Sequence, residues 1–242
     1  MDNGENGVLV ERTLPGLHAA LLTTVKELEG LSKTSPILDL GCGTGAWLKR
    51  MHDAGYRELW GVDRDAKGFA AKEVVRFIPA DLGGNEKVIE ATRTDFKLAT
   101  IIEVIEHVAN PQKLVECAFR ALAPGGWMLI TSPNVYSLRA RARFFAFGGM
   151  PFFERRAHSV PVEADHIHPI LLEAYERKIF TPLGLILTRL WTHPEHGSVG
   201  SRLSARIAAR LMRIALADQL PGDTLCLLLR KPPGNPVAAA PY

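Results

Sequence analysis

The 242-residue chain lacks any apolar run close to the ~20 residues that a membrane-crossing helix needs. It has only three cysteines, Cys42, Cys117 and Cys226. An odd count, with each thiol inside an apolar or glycine-rich segment, excludes a disulfide framework and points to reduced thiols. Charge of one sign is also scarce: 29 Lys and Arg against 26 Asp and Glu leave +3. That excess, without an appended basic module or a basic stripe with interleaved aromatics, argues against nucleic acid as a partner. The opening "MDNGENGVLVERT" lacks the basic and apolar regions of a secretory signal, so the expected location is the cytoplasm. No internal repeat occurs, and residues 1 to about 12 and 232–242 are expected to be loose, the latter because their prolines and alanines build no core.

What is present suits one globular domain with an insertion, since 47% of residues are hydrophobic and 23% charged. "LPGLHAALLTTVKELEG" has helical spacing and ends at Gly30, so residues 1–34 read as a tail and a leading helix. Short apolar strands then alternate with helices: "ILDL", "AWLKRMHDAG", "ELWGVD", "DAKGFAAK", "VVRFIPA", "KLATII", "PQKLVECAFRAL", "GWMLITS". Such alternation predicts βαβ units and a doubly wound α/β sheet buried on both faces. Residues 35–133 form this core. The pattern breaks over 134–168, read as a partly helical cap after the fifth strand. The helix "ILLEAYERKIF" and the strands "LILTRLW" and "TLCLLLR" complete a mostly parallel seven-stranded sheet over 169–231. An amphipathic helix at about 198–219 carries Leu203, Ile207, Leu211 and Ile214 on one stripe and arginines on the other.

"LDLGCGTGAW" follows the first strand and opens the first helix of the core. Gly41, Gly43 and Gly45 allow a sharp turn and a close ligand approach beyond the strand's carboxyl end. The spacing Gly-x-Gly-x-Gly differs from the dinucleotide fingerprint. Asp39 precedes it within the strand, and Asp63 and Asp81 end the next two strands, where a carboxylate can accept ribose hydroxyls. "ILDLGCGTG", "GVD", "ADL", "ATIIEVIEHV" and "ALAPGGWMLITSPN", with the late helix before "GLILTRLW", together resemble the class I S-adenosylmethionine-dependent methyltransferases over about residues 35–192. The resemblance implies a Rossmann-like fold and the cofactor S-adenosyl-L-methionine. It further implies that Gly41, Cys42, Gly43 and Gly45 cradle the methionine moiety, that Asp63 with Arg64 holds the ribose, and that Asp81 with Leu82 flanks the adenine. Asp39 and Glu103 complete that cofactor set.

"EVIEHV" places Glu103, Glu106 and His107 within five positions after the apolar "LATII". If the chain turns helically there, the three side chains converge. Two carboxylates and an imidazole suit a divalent ion such as Mg²⁺ or Mn²⁺, with a fourth ligand from "ADHIHP". Metal-assisted O-methyltransferases of the small-RNA 2′-hydroxyl type and the ubiquinone-biosynthesis type carry a Glu-x-x-Glu-His element at this strand end. That resemblance implies a metal set of Glu103, Glu106, His107 and His166, with His168 in reserve. Val108 departs from the RNA type, which has a second histidine there. Three readings stand open: a metal site, a metal-free base in which His107 acts with Glu106, and a structural role.

The cap's "RARARFFAFGGMPFFERR" mixes arginines with phenylalanines and could receive an anionic group on an apolar body. His158 has no clear partner in the sequence. The late helix reads as a lid on the domain, a homodimer face or a contact with the inner membrane surface. The expected function is methyl transfer to oxygen of a small-molecule or lipid-linked acceptor. A cofactor-binding regulator without catalysis and a dehydrogenase are the competing readings.

Overall fold

The computed structural model describes residues 8–82, 93–150, 152–153, 166–193 and 220–234. Seven strands form one sheet: β1 Ile37–Leu40, β2 Leu59–Asp63, β3 Arg76–Pro79, β4 Phe96–Ile102, β5 Leu122–Pro133, β6 Ile186–His193 and β7 Thr224–Arg230. Their spatial order is β3-β2-β1-β4-β5-β7-β6. The first five pair in parallel, while β7 runs antiparallel to both β5 and β6.

Alternate residues of a strand point to opposite faces, and here both faces are covered. Leu38 of β1 with Ala99 and Ile101 of β4 joins one apolar cluster; Ile37 of β1 with Leu98 and Ile102 of β4 joins the other. Strands that must be apolar on both sides read as the near-continuous runs seen in the sequence. The first face is covered by α3 (Pro111–Ala121), the second by α1 (Leu17–Lys26) and α2 (Ala46–Asp53). Local chemistry fixes the helix starts. Asn110 accepts from the Lys113 amide at 3.0 Å with Pro111 in the first turn, and Ser137 accepts from the Ala140 amide at 3.1 Å to begin α4 (Leu138–Phe147).

The chain order reverses between β1 and β4, so the loops leaving these two strands part from each other and open a crevice at the carboxyl edge. Both motifs singled out in the sequence lie on those loops.

Three expectations are corrected or bounded. "DAKGFAAK" forms turns rather than a helix. The Asp65 carboxylate accepts from the amides of Lys67 (3.1 Å) and Gly68 (3.0 Å), closing a turn that competes with helix hydrogen bonds. Residues 8–12 are not loose: the Thr44 hydroxyl accepts from the Val10 amide (3.1 Å) and donates to its carbonyl (3.0 Å), and Glu11 pairs with Arg50. The late helix "ILLEAYERKIF" divides into α5 (Leu172–Tyr175), a π turn (Glu176–Phe180) and α6 (Thr181–Leu183). The amphipathic segment 198–219, His158, Asp165 and the terminal tails 1–7 and 235–242 lie outside the described residues. No helix among the described residues is long and apolar enough to cross a membrane.

Candidate active site at the carboxyl edge of the sheet

The glycine loop leaves β1 with its amides tied back to β2. Gly41 and Cys42 donate to the Val62 carbonyl at 2.8 and 3.0 Å, and Gly45 donates to that of Cys42 at 2.8 Å. Gly41, Gly43 and Gly45 all have positive φ, at 82°, 52° and 86°. Their surroundings differ in a way that bears on function. A Cβ at Gly41 would lie 2.3 Å from Val104 Cγ2, and one at Gly45 would lie 2.7 Å from Phe69 and Ala71. A Cβ at Gly43 would meet nothing within 4 Å. Gly41 and Gly45 are thus demanded by packing, whereas Gly43 faces open space where a ligand can approach the backbone.

The acidic residues around this loop are held in place. Asp63 accepts from the Gly43 amide (2.8 Å, Oδ2) and the Asp65 amide (2.9 Å, Oδ1), which leaves a lone pair on each oxygen able to accept a further hydrogen bond. Asp39 is buried, and Thr100 donates to its Oδ1 at 2.6 Å. Burial raises the Asp39 pKa to about 7; the Thr100 bond works against this and the Asp63 charge adds to it. Cys42 is buried against Gly61, and burial pushes its thiol pKa up, so it is inert wall rather than nucleophile. All three cysteines are buried free thiols. Arg64 and Asp81 are exposed at the strand ends, and Leu82 packs partly against the core.

The loop after β4 meets the glycine loop through the Val104–Gly41 contact. Its first residue, Glu103, takes a left-handed φ of 52°, sparsely populated for a residue with a side chain. Thr131 at the end of β5 holds it there: its hydroxyl accepts from the Glu103 amide at 3.0 Å and donates to Glu103 Oε1 at 2.9 Å. Burial raises the Glu103 pKa to about 7 against the Thr131 bond. Glu106 is fully buried, and neither carboxylate oxygen has a hydrogen-bond partner among the described residues. Burial first, and the Glu103 charge second, push its pKa well above the ordinary carboxylate value. The Ser132 hydroxyl faces this carboxylate and pulls the other way without closing a hydrogen bond of good geometry.

The cap returns to this loop. The amides of Ile167 and His168 donate to the Glu106 carbonyl at 2.7 and 3.1 Å, which brings His166 edge-on to His107 with ring centroids 4.6 Å apart. One ligand atom from each of Glu106, His107 and His166 lies within 4.8 Å of the others. Glu103, committed to Thr131, stands outside this cluster, and His168 contributes its backbone rather than its ring. The donor set is one carboxylate and two imidazoles, not two carboxylates and one or two imidazoles. Such a set suits Mn²⁺ better than Mg²⁺, which favours oxygen ligands.

Sequence reasoning missed Thr100, Thr131, Ser132 and Tyr175. "LITSPN" carried a signal for two of them, since hydroxyl residues ending an otherwise apolar buried strand need partners. Tyr175 had none.

Residues 13–176 match a family model described as a methyltransferase domain. The chain is 32% identical over 165 residues to the ubiquinone biosynthesis O-methyltransferase of Maricaulis maris (strain MCS10), covering 62% of this chain and 64% of that protein. It is 25% identical over 133 residues to the protein of the same name from Bordetella avium (strain 197N), covering 51% and 53%. The chain therefore spans about half the length of several curated relatives that it matches. A solved SAM-dependent methyltransferase from Archaeoglobus fulgidus superposes with TM-score 0.60 at 18% identity, over 88% of this chain and 92% of that one, a likeness of fold.

Proposed function

Because the chain belongs to the methyltransferase domain family, we propose that it transfers the methyl group of S-adenosylmethionine to an oxygen of a small-molecule or lipid-linked acceptor. The observation that carries this reading is the Glu106–His107–His166 cluster standing one residue contact, Val104 against Gly41, from the open face of the glycine loop.

The donor's sulfonium is already electrophilic, so the protein has to align donor and acceptor and exclude water. Gly43 lets the cofactor approach the backbone, and Asp63 accepts its ribose hydroxyls. A hydroxyl acceptor also has to lose its proton. The cluster fits a divalent cation, because both Glu106 oxygens are buried without hydrogen-bond partners among the described residues and the half-buried His107 and His166 rings stand beside them. Glu106, His107 and His166 would hold that ion, which would supply acidity to the acceptor oxygen. Glu103, a neighbour whose pKa stands near 7, is placed to exchange protons near neutral pH.

The lipid-linked acceptor draws support from α4. Arg141 stands on a helix without acidic residues, between Arg139, which pairs with Asp223 at 3.4 Å, and Arg143, which lies over the Phe147 ring, and Phe144, Phe145 and Phe147 are 51%, 94% and 78% exposed. Arginines suit an anionic group and bare phenylalanines its apolar body, at a membrane surface or on a carrier.

Calorimetric titration with S-adenosylmethionine and S-adenosylhomocysteine, followed by turnover with phenolic acceptors, tests the reading. We expect binding of both ligands, activity lost in excess chelator, and recovery with Mn²⁺. Full activity in chelator leaves His107 as a metal-free base, and cofactor binding without turnover on any acceptor favours a regulator.

A further inference from the structure

Three residues from three different elements carry buried polar atoms that have no hydrogen-bond partner among the described residues. Glu106 comes from the loop after β4, Ser132 from the end of β5 and Tyr175 from α5. The two Glu106 carboxylate oxygens, the Ser132 hydroxyl and the Tyr175 phenol all lack hydrogen-bond partners, and the three residues are 0%, 0% and 8% exposed. Tyr175 packs in the same apolar cluster as Ile105 and Val108, the residues on either side of this stretch of loop, and Ser132 stands within hydrogen-bond range of the Glu106 carboxylate; burial first, and the Glu106 charge second, raise the Tyr175 phenol to about 12.

The backbone directs Tyr175 to this stretch of loop. The Ile167 and His168 amides fasten the incoming chain to the Glu106 carbonyl, and the Leu172 amide donates to the Tyr136 hydroxyl at 2.7 Å. A π turn follows immediately after Tyr175 and sets Phe180 edge-on to its ring at 6.1 Å. Such insertions recur at functional sites. The ring of Tyr175 is thus used by the apolar core, but its hydroxyl is not. A buried hydroxyl without a partner destabilises the fold, so phenylalanine at 175 and alanine at 132 would pack the same places at lower cost.

We propose that Tyr175 and Ser132 are positioning residues of the Glu106–His107–His166 site. Their hydroxyls donate to the Glu106 carboxylate, directly or through one water, and fix its direction when the site takes up its ligand. Hydrogen bonds of this kind are often long in the ligand-free protein and tighten on binding. The proposal rests on the reading of that cluster as a ligand site.

The test uses Tyr175→Phe, Ser132→Ala and Ser132→Thr in the full chain, with S-adenosylmethionine affinity as the check that the fold is intact. Two readouts separate the proposal from the cation reading beneath it. The first is the infrared carbonyl band of Glu106, assigned by its disappearance in Glu106→Gln. The second is Mn²⁺ affinity by electron paramagnetic resonance. We expect the band to shift in Tyr175→Phe and in Ser132→Ala, Mn²⁺ binding to weaken about tenfold in each, and Ser132→Thr to restore both. If wild type binds no Mn²⁺, the cation reading fails while the band still decides: a shift supports positioning. A band at its wild-type position in both variants overturns it, whatever the metal does. Should Tyr175→Phe fail to fold, the Ser132→Ala and Ser132→Thr pair decides in the same way.

Discussion

Beyond β1, the glycine loop has its polar groups paired: Asp63 takes two amides, Asp39 takes the Thr100 hydroxyl, and the loop's own amides return to β2. Beyond β4, the neighbouring loop keeps Glu106 buried with both oxygens unpaired, and Ser132 and Tyr175 beside it are unpaired too. Both loops leave the same sheet edge and touch at Gly41 and Val104, so position does not explain the difference. The first loop is finished before its ligand arrives, and shape limits what can change there. The second leaves buried polar atoms without partners among the described residues, and charge limits it.

The comparison is broken most severely at the contact itself. Gly41→Ala places a Cβ 2.3 Å from Val104 Cγ2 at φ +82°, and a loss of roughly 3 kcal/mol or more is expected in urea denaturation, with S-adenosylmethionine binding abolished. Adding Val104→Ala should recover the clash but not the backbone strain. Gly43→Ala, with open space around it, should cost only about 1 kcal/mol of stability while still blocking the cofactor.

Titration is the next largest effect. Asp39 and Glu103 both have pKa values raised to about 7 by burial. A raised folded pKa means that the unfolded chain ionises first, so their contribution is intact below about pH 4 and is lost as pH rises toward 7. Urea midpoints should therefore fall between about pH 4 and pH 7 by the equivalent of a few kcal/mol, and Asp39→Asn together with Glu103→Gln should remove part of that slope, the raised pKa of Glu106 supplying the rest.

Glu106→Gln sharpens the contrast from the other side. It removes a buried carboxyl group whose ionisation burial disfavours, so at pH 8 it should be more stable than wild type by about 1–3 kcal/mol, a gap that closes as pH falls toward the ordinary value of 4.5. Mn²⁺ should reverse that order by stabilising wild type alone. The smallest effect is expected far from both loops: Phe145→Ser, at a side chain 94% exposed, should change stability by less than about 0.5 kcal/mol while weakening binding to anionic vesicles.

The finished loop was the more legible of the two. Glycines at fixed spacing and a carboxylate closing β2 are local features, and strand periodicity fixed the seven strands because a sheet buried on both faces leaves an apolar imprint. The unfinished loop was legible only in part. "EVIEHV" announced a polar site, but the partition of its members depends on contacts distant in the chain: Thr131, 28 residues on, withdraws Glu103 from the cluster, and the cap delivers His166 through the Glu106 carbonyl. Tyr175 looked like one aromatic among the apolar positions of a helix. "DAKGFAAK" misled because its helix-forming composition is overridden by the Asp65 side chain capping a turn, with Gly68 seated where a Cβ would lie 2.4 Å from that carboxylate.

The central claim is that the loop beyond β4 holds a cation through Glu106, His107 and His166 beside a cofactor site that stands without it. Electron paramagnetic resonance titration with Mn²⁺, in the presence of S-adenosylmethionine, measures this directly. The account predicts one tightly bound ion per chain in wild type and none in the paired substitution His107→Ala with His166→Ala, with S-adenosylmethionine still bound. Absence of a bound ion in wild type, or undiminished binding in the paired substitution, would contradict it.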